Sequence, residues 1–118
     1  MDSVYSQHEI TERLMPIFTA HPIERAVLFG SYAKGNATPQ SDIDLMIDSN
    51  GKIRGIDFFG VLEEVSSALN TQVDLLESSQ IIKGSRVQKE IENSGVIIYD
   101  KKRIKTLDNT YNTYTLLL

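Results

Sequence analysis

The chain has 118 residues, of which 41% are hydrophobic and 24% charged, with a formal net charge of −4 and no cysteine. That is enough chain for one domain with its own core, and the composition excludes disordered and collagen-like classes. The acidic balance argues against a broad nucleic-acid-binding surface, and no apolar run approaches the roughly 20 residues that span a bilayer. Without cysteine there are no disulfides and no thiolate chemistry, and the Met1-Asp2-Ser3-Val4 start is not that of a secretory signal, so a cytoplasmic setting is expected.

Residues 6–20 read as a helix, because Ile10, Leu14, Ile17 and Phe18 fall on one stripe, and Pro22 ends it. The apolar run 25–30, closed by Gly30, reads as a strand. Residues 43–48, "IDLMID", alternate and read as a second strand, followed by an Asn50-Gly51 turn. Residues 56–69 carry Phe58, Val61, Leu62, Val65, Ala68 and Leu69 on one side and read as a helix. Strands over 72–77 and 95–100 bracket a helix over 79–93 around Val87 and Ile91. The order α-β-β-α-β-α-β predicts an α+β fold: a small mixed β-sheet with helices packed mainly on one face. Residues 1–103 are expected to form the domain and 104–118 a C-terminal tail.

Side chains alternate across a strand. Ile43, Leu45 and Ile47 therefore share one face while Asp42 and Asp44 share the other, and Val73 and Leu75 likewise oppose Asp74. With the apolar sets turned toward the helices, three carboxylates stand together on the uncovered face. Asp42 and Asp44 sit about 6.5–7 Å apart along the strand, so their carboxylates can lean together on a shared divalent cation. Crowded carboxylates repel, and Mg²⁺, which prefers oxygen ligands, relieves that repulsion. Two such ions can stabilise both the attacking and the leaving oxygen of a phosphoryl displacement.

Just upstream, Gly30 lacks a Cβ, which lets backbone come close to a ligand. Ser31 is placed to cap a short helical turn through Tyr32 and Ala33, and free N–H groups at a helix start bind phosphate oxygens. Lys34 offers a point charge to the same polyphosphate, and Ser41 offers a hydroxyl to a phosphate or to Asp42. Each piece is weak alone, since a D-x-D arises easily in a chain with 16 acidic residues. The joint pattern is far more specific: a strand, Gly-Ser, a loop, Ser-Asp-x-Asp with apolar alternation, then a later strand with one more aspartate on the same face.

"GSYAKGNATPQSDIDL" resembles the signature of the nucleotidyltransferase superfamily with the DNA polymerase β-type palm, and most of all the minimal nucleotidyltransferases (MNT, MntA-like antitoxins). The resemblance runs over about residues 8 to 100 and includes "IDFFGVLEEV" and "VDLLE". It implies Gly30 and Ser31 on a nucleoside triphosphate, where the residue-level reading adds Lys34 and Ser41 as further nucleotide contacts. It implies Asp42 and Asp44 on Mg²⁺, with Asp74 the third carboxylate, beside the attacking hydroxyl. Lys34 stands where the family often has arginine, keeping the charge without the bidentate fork. The resemblance further implies an antitoxin that transfers AMP from ATP to a tyrosine hydroxyl of a HEPN-domain ribonuclease toxin, with no direct nucleic-acid or membrane binding of its own.

Two rival readings remain at this level. One is a non-catalytic antitoxin of the same fold that neutralises its toxin by binding. The other is a nucleotidyltransferase acting on a small molecule. Retention of all three aspartates favours the enzyme, because an inert binder has no need of crowded like charges. His8 and His21 read as surface residues, Tyr32 as either packing or base-stacking, and one of Phe58 and Phe59 as core.

Overall fold

A computed structural model describes residues 4–103. The first helix, α1 (Gln7–Ala20), starts at a Ser6 cap. Ser6 Oγ accepts from the Glu9 amide at 3.0 Å, and Glu9 Oε1 accepts from the Ser6 amide at 2.8 Å. This reciprocal pair satisfies two of the donors that a helix start leaves open. The helix stops at His21, which is extended, as a residue before proline is biased to be. Ile10, Leu14, Ile17 and Phe18 are its buried residues, the stripe the sequence indicates.

The chain continues through β1 (Arg25–Phe29), α2 (Ser31–Lys34), β2 (Ile43–Asp48), α3 (Ile56–Leu69), β3 (Val73–Glu77), α4 (Arg86–Ser94) and β4 (Val96–Asp100). The strands form one sheet in the order β3-β2-β1-β4. β1 pairs antiparallel with β2 and β4, whereas β2 and β3, joined through α3, run parallel. The fold is therefore α+β with a small mixed sheet. Among the described residues no helix is long and apolar enough to cross a membrane.

One face of the sheet meets α1 and α3. Ala26, Leu28, Ile43, Leu45, Ile47, Val73 and Leu75 pack there with Leu14, Phe18, Val61, Val65 and Leu69. The opposite face is not bare. Val27, Phe29 and Met46 form a second cluster, covered by Leu76, Ile81, Val87 and Ile91. Helix α4 thus lies on the acidic face and makes one wall beside the aspartates.

The helix expected over 79–93 is shorter and begins later. A 3-10 turn occupies Ser78–Gln80, and α4 starts only at Arg86. Gly84 has φ +79°, which a helix cannot continue through, and Ser85 caps α4 by accepting from the Gln88 amide. Glu77, the last residue of β3, is 1% exposed. Its carboxylate accepts from the Ser49 amide (3.0 Å), the Ser49 hydroxyl (2.7 Å), the Ser79 amide (2.7 Å) and the Ser79 hydroxyl. Burial alone would raise its pKa, but these hydrogen bonds hold it down at about 2. Glu77 thereby ties the exits of β2 and β3 together.

Candidate active site

The acidic site is built by strand register. In the parallel pair β2–β3, Asp44 lies directly opposite Asp74, flanked by Ile43 opposite Val73 and Leu45 opposite Leu75. The apolar neighbours point into the α1/α3 core, so both aspartates point to the other face. Register places Asp74 near enough that its charge and hydrogen bonding raise the Asp44 pKa. Asp42 sits one residue ahead of β2 and is exposed, as is Asp74, while Asp44 is half-buried. The Asp44 pKa is pushed up to about 6, first by burial, then by the charge and hydrogen bond of Asp74, then by the charges of Glu90 and Asp42. Four carboxylates from β2, β3, α4 and the residue preceding β2 therefore share one electrostatic neighbourhood.

β1 delivers Gly30 to the same point, since Phe29 pairs with Asp44. Gly30 has φ +72° and ψ −151°, a region open essentially to glycine alone. A Cβ there would lie 2.1 Å from Asp44 Oδ2. The sequence suggests room for a ligand at this glycine. The structure gives a nearer reason: the space is taken by the Asp44 carboxylate itself. Ser31 is the first residue of α2 and not its cap, which is Gly30. Its hydroxyl is therefore not committed to capping. The N–H groups of this first turn have no intrahelical acceptor, and the first amide bonded back is that of Lys34, to Gly30 O at 3.1 Å.

Lys34 Nζ lies 3.0 Å from Glu90 Oε2 on α4. Ser41 closes a turn: its hydroxyl accepts from the Thr38 amide at 2.9 Å and its amide donates to Thr38 O at 2.9 Å. Its hydroxyl thus fixes the turn that leads into Asp42. Tyr32 is buried in the main core, which removes it as a base-stacking residue. His8 is a surface residue beside Glu12, and His21 Nε2 pairs with Glu64 at 3.1 Å. Phe58 packs on the core, and Phe59 is 66% exposed. Glu90 is the residue that sequence reasoning missed. Its signal was the Val87/Ile91 stripe, which sets Glu90 on the flank of a helix laid over the acidic face.

Among the described residues no three His, Asp or Glu side chains form a ready-made metal cage. Mg²⁺ does not require one, since it commonly takes one or two carboxylates and fills its remaining positions with water and substrate phosphates. Asp44 and Asp74, opposite each other in register, with the Asp42 charge felt at Asp44, fit that pattern. The raised pKa of Asp44 comes first from burial and then from the neighbouring like charges, and a bound cation would offset both.

The polymerase beta nucleotidyltransferase family model matches residues 12–104. "Putative protein adenylyltransferase MJ0435" of Methanocaldococcus jannaschii is 31% identical over 74 residues, covering 63% of this chain and 80% of that protein. Two solved structures share the fold. A chain in a crystal structure of a toxin-antitoxin with AMP-PNP aligns with TM-score 0.64 and 22% identity, covering 96% of this chain and 90% of that one. A chain in a structure of the tri-AMPylated Shewanella oneidensis HEPN toxin in complex with MNT antitoxin aligns with TM-score 0.62 and 20% identity, covering 94% and 88%.

Proposed function

We propose that this chain, which belongs to the polymerase beta nucleotidyltransferase family, is a Mg²⁺-dependent antitoxin that transfers AMP from ATP to a tyrosine hydroxyl of a HEPN-domain toxin in the cytoplasm. The observation that carries the reading is the register pairing of Asp44 with Asp74, with Gly30 against the Asp44 carboxylate and the Asp42 charge felt there. Support for the acceptor comes from the adenylyltransferase name of the Methanocaldococcus relative and from the AMPylated HEPN toxin in the Shewanella complex.

In this reading the amides at the start of α2, the Ser31 hydroxyl and Lys34 bind the polyphosphate, and Ser41 holds the loop that presents Asp42. Asp42, Asp44 and Asp74 hold Mg²⁺, which when bound supplies Lewis-acid stabilisation of the phosphoryl oxygens. Asp74, on the more exposed side of the pair, accepts the proton of the tyrosine hydroxyl. The tyrosine oxygen forms its bond to the α-phosphorus, the bond from that phosphorus to the bridging oxygen breaks, and pyrophosphate leaves in line. Gly30 keeps the Asp44 carboxylate against the start of α2.

The test is mass spectrometry of a HEPN-domain partner incubated with the protein, ATP and Mg²⁺. The reading expects the partner to gain AMP on a tyrosine, and expects Asp42→Asn and Asp44→Asn to abolish the gain. A partner neutralised equally well by both variants, with no mass change, would instead favour occlusion by binding.

A further inference from the structure

We propose that Glu90 is a positioning residue that holds Lys34 in reserve and yields it to an incoming polyphosphate, so that the Lys34–Glu90 ion pair sets nucleotide affinity. The proposal rests on the reading of Lys34 as a phosphate contact.

The pair joins two elements on the same side of the sheet. Lys34 is the last residue of α2, and Glu90 stands on α4, 56 residues later, with Nζ and Oε2 3.0 Å apart. The side chains are 47% and 29% exposed, so a ligand can reach both. Their mobilities differ. α4 is anchored by Val87 and Ile91 on Val27, Phe29 and Met46, and Ser94 Oγ donates to Glu90 O at 3.1 Å. Lys34 carries its ammonium on a flexible four-carbon stem at the end of a four-residue helix. Glu90 therefore has the shorter stem on the anchored helix, and Lys34 the longer and more flexible reach.

Glu90 is also a negative charge within reach of Asp44, which already feels Asp74 and Asp42. A polyphosphate entering beside α2 meets that negative field, and Lys34 offsets part of it. Transferring Lys34 from Glu90 to phosphate is a cheap exchange, because an exposed ion pair changes an equilibrium only about fivefold at most. Phosphate affinity is then the difference between two partners for one ammonium, and Glu90 is the competitor.

The experiment measures calorimetric binding of a non-hydrolysable ATP analogue with Mg²⁺, together with steady-state KM and kcat for ATP. Four proteins are compared: wild type, Glu90→Gln, Lys34→Gln and the double variant. Glu90→Gln is expected to tighten binding and lower KM about two- to fivefold, with kcat within about twofold, the range an exposed ion pair controls. Lys34→Gln weakens binding, and in its background the Glu90→Gln gain shrinks to less than about 1.5-fold. Unchanged or weaker binding in Glu90→Gln, or the same gain in both backgrounds, overturns the proposal. A wild type that binds nucleotide with this response yet transfers no AMP sinks the parent reading and leaves this one standing. A wild type that binds no nucleotide sinks both.

Discussion

Gly30 offers a sharp perturbation because the protein contains its own control. An alanine Cβ at Gly30 would lie 2.1 Å from Asp44 Oδ2, whereas a Cβ at Gly35, whose φ is also positive at +78°, meets nothing within 4 Å. Both substitutions strain the backbone. Gly35 is in the left-handed helical region, where a side chain costs about 1–2 kcal/mol. Gly30, at ψ −151°, is in a less forgiving region at about 1–3 kcal/mol. Only Gly30→Ala also displaces the carboxylate, which must retreat about 1.3 Å, the gap between 2.1 Å and the 3.4 Å at which ordinary contact begins. A 1 Å misplacement at a reacting centre can cost on the order of 100-fold in rate. Urea denaturation and an AMP-transfer assay should therefore separate the two variants. Both lose stability, but Gly30→Ala loses about 100-fold in transfer while Gly35→Ala stays within about threefold. Equal activities in the two variants would refute the claim that Gly30 is glycine on account of Asp44.

Glu77→Gln should destabilise the metal-free protein at pH 7 by on the order of 3 kcal/mol, from a pKa held at about 2 against an ordinary 4.5. Because the folded-state pKa is depressed, this contribution is present above about pH 4.5 and is lost as pH falls toward about 2. Urea midpoints for the wild type and variant should converge over that window, and a constant gap would contradict the assignment. Asp44 has the opposite sign. Its folded-state pKa is raised to about 6 from 3.8, so its contribution to stability is present below about pH 3.8 and is lost as pH rises through 6. A carboxyl NMR titration should find the raised value without metal, and saturating Mg²⁺ should lower it by at least about one unit, as a nearby opposite charge does. An unchanged titration would mean that no cation binds against Asp44.

Much of this architecture was legible because the decisive patterns are local. The alternation in "IDLMID" and "VDLLE" separates core-facing Ile43, Leu45, Val73 and Leu75 from the aspartates, and the structure puts the former in the main core. That Asp42, Asp44 and Asp74 share a sheet face followed from the same alternation, but the residue-for-residue pairing of Asp44 with Asp74 did not, because it depends on the parallel register set through α3. The second core was hidden for a different reason. β1 is apolar on both faces, so no period shows that Val27 and Phe29 look away from Ala26 and Leu28. Gly84 and Ser85 mark the true start of α4, and a stripe around Val87 and Ile91 read too far toward the N-terminus ran over them. Glu77 reads as an ordinary strand end, since burial of a carboxylate depends on serines 28 residues earlier and two residues later. Lys34 reads as a free cation because its partner lies 56 residues away. The tail expected over 104–118 lies outside the described residues.

The central claim is that the carboxylates brought together by β2 and β3 act as one phosphoryl-transfer site, and Asp74→Asn tests it most directly. Two readouts are taken on the same variant: the rate of AMP transfer with ATP and Mg²⁺, and the thermal midpoint without metal. The account expects transfer to fall by at least about 100-fold, while the midpoint rises or holds because a like charge beside Asp44 has gone. Transfer within about threefold of wild type, or a clear drop in the midpoint, would contradict it, marking Asp74 as a bystander or a structural prop.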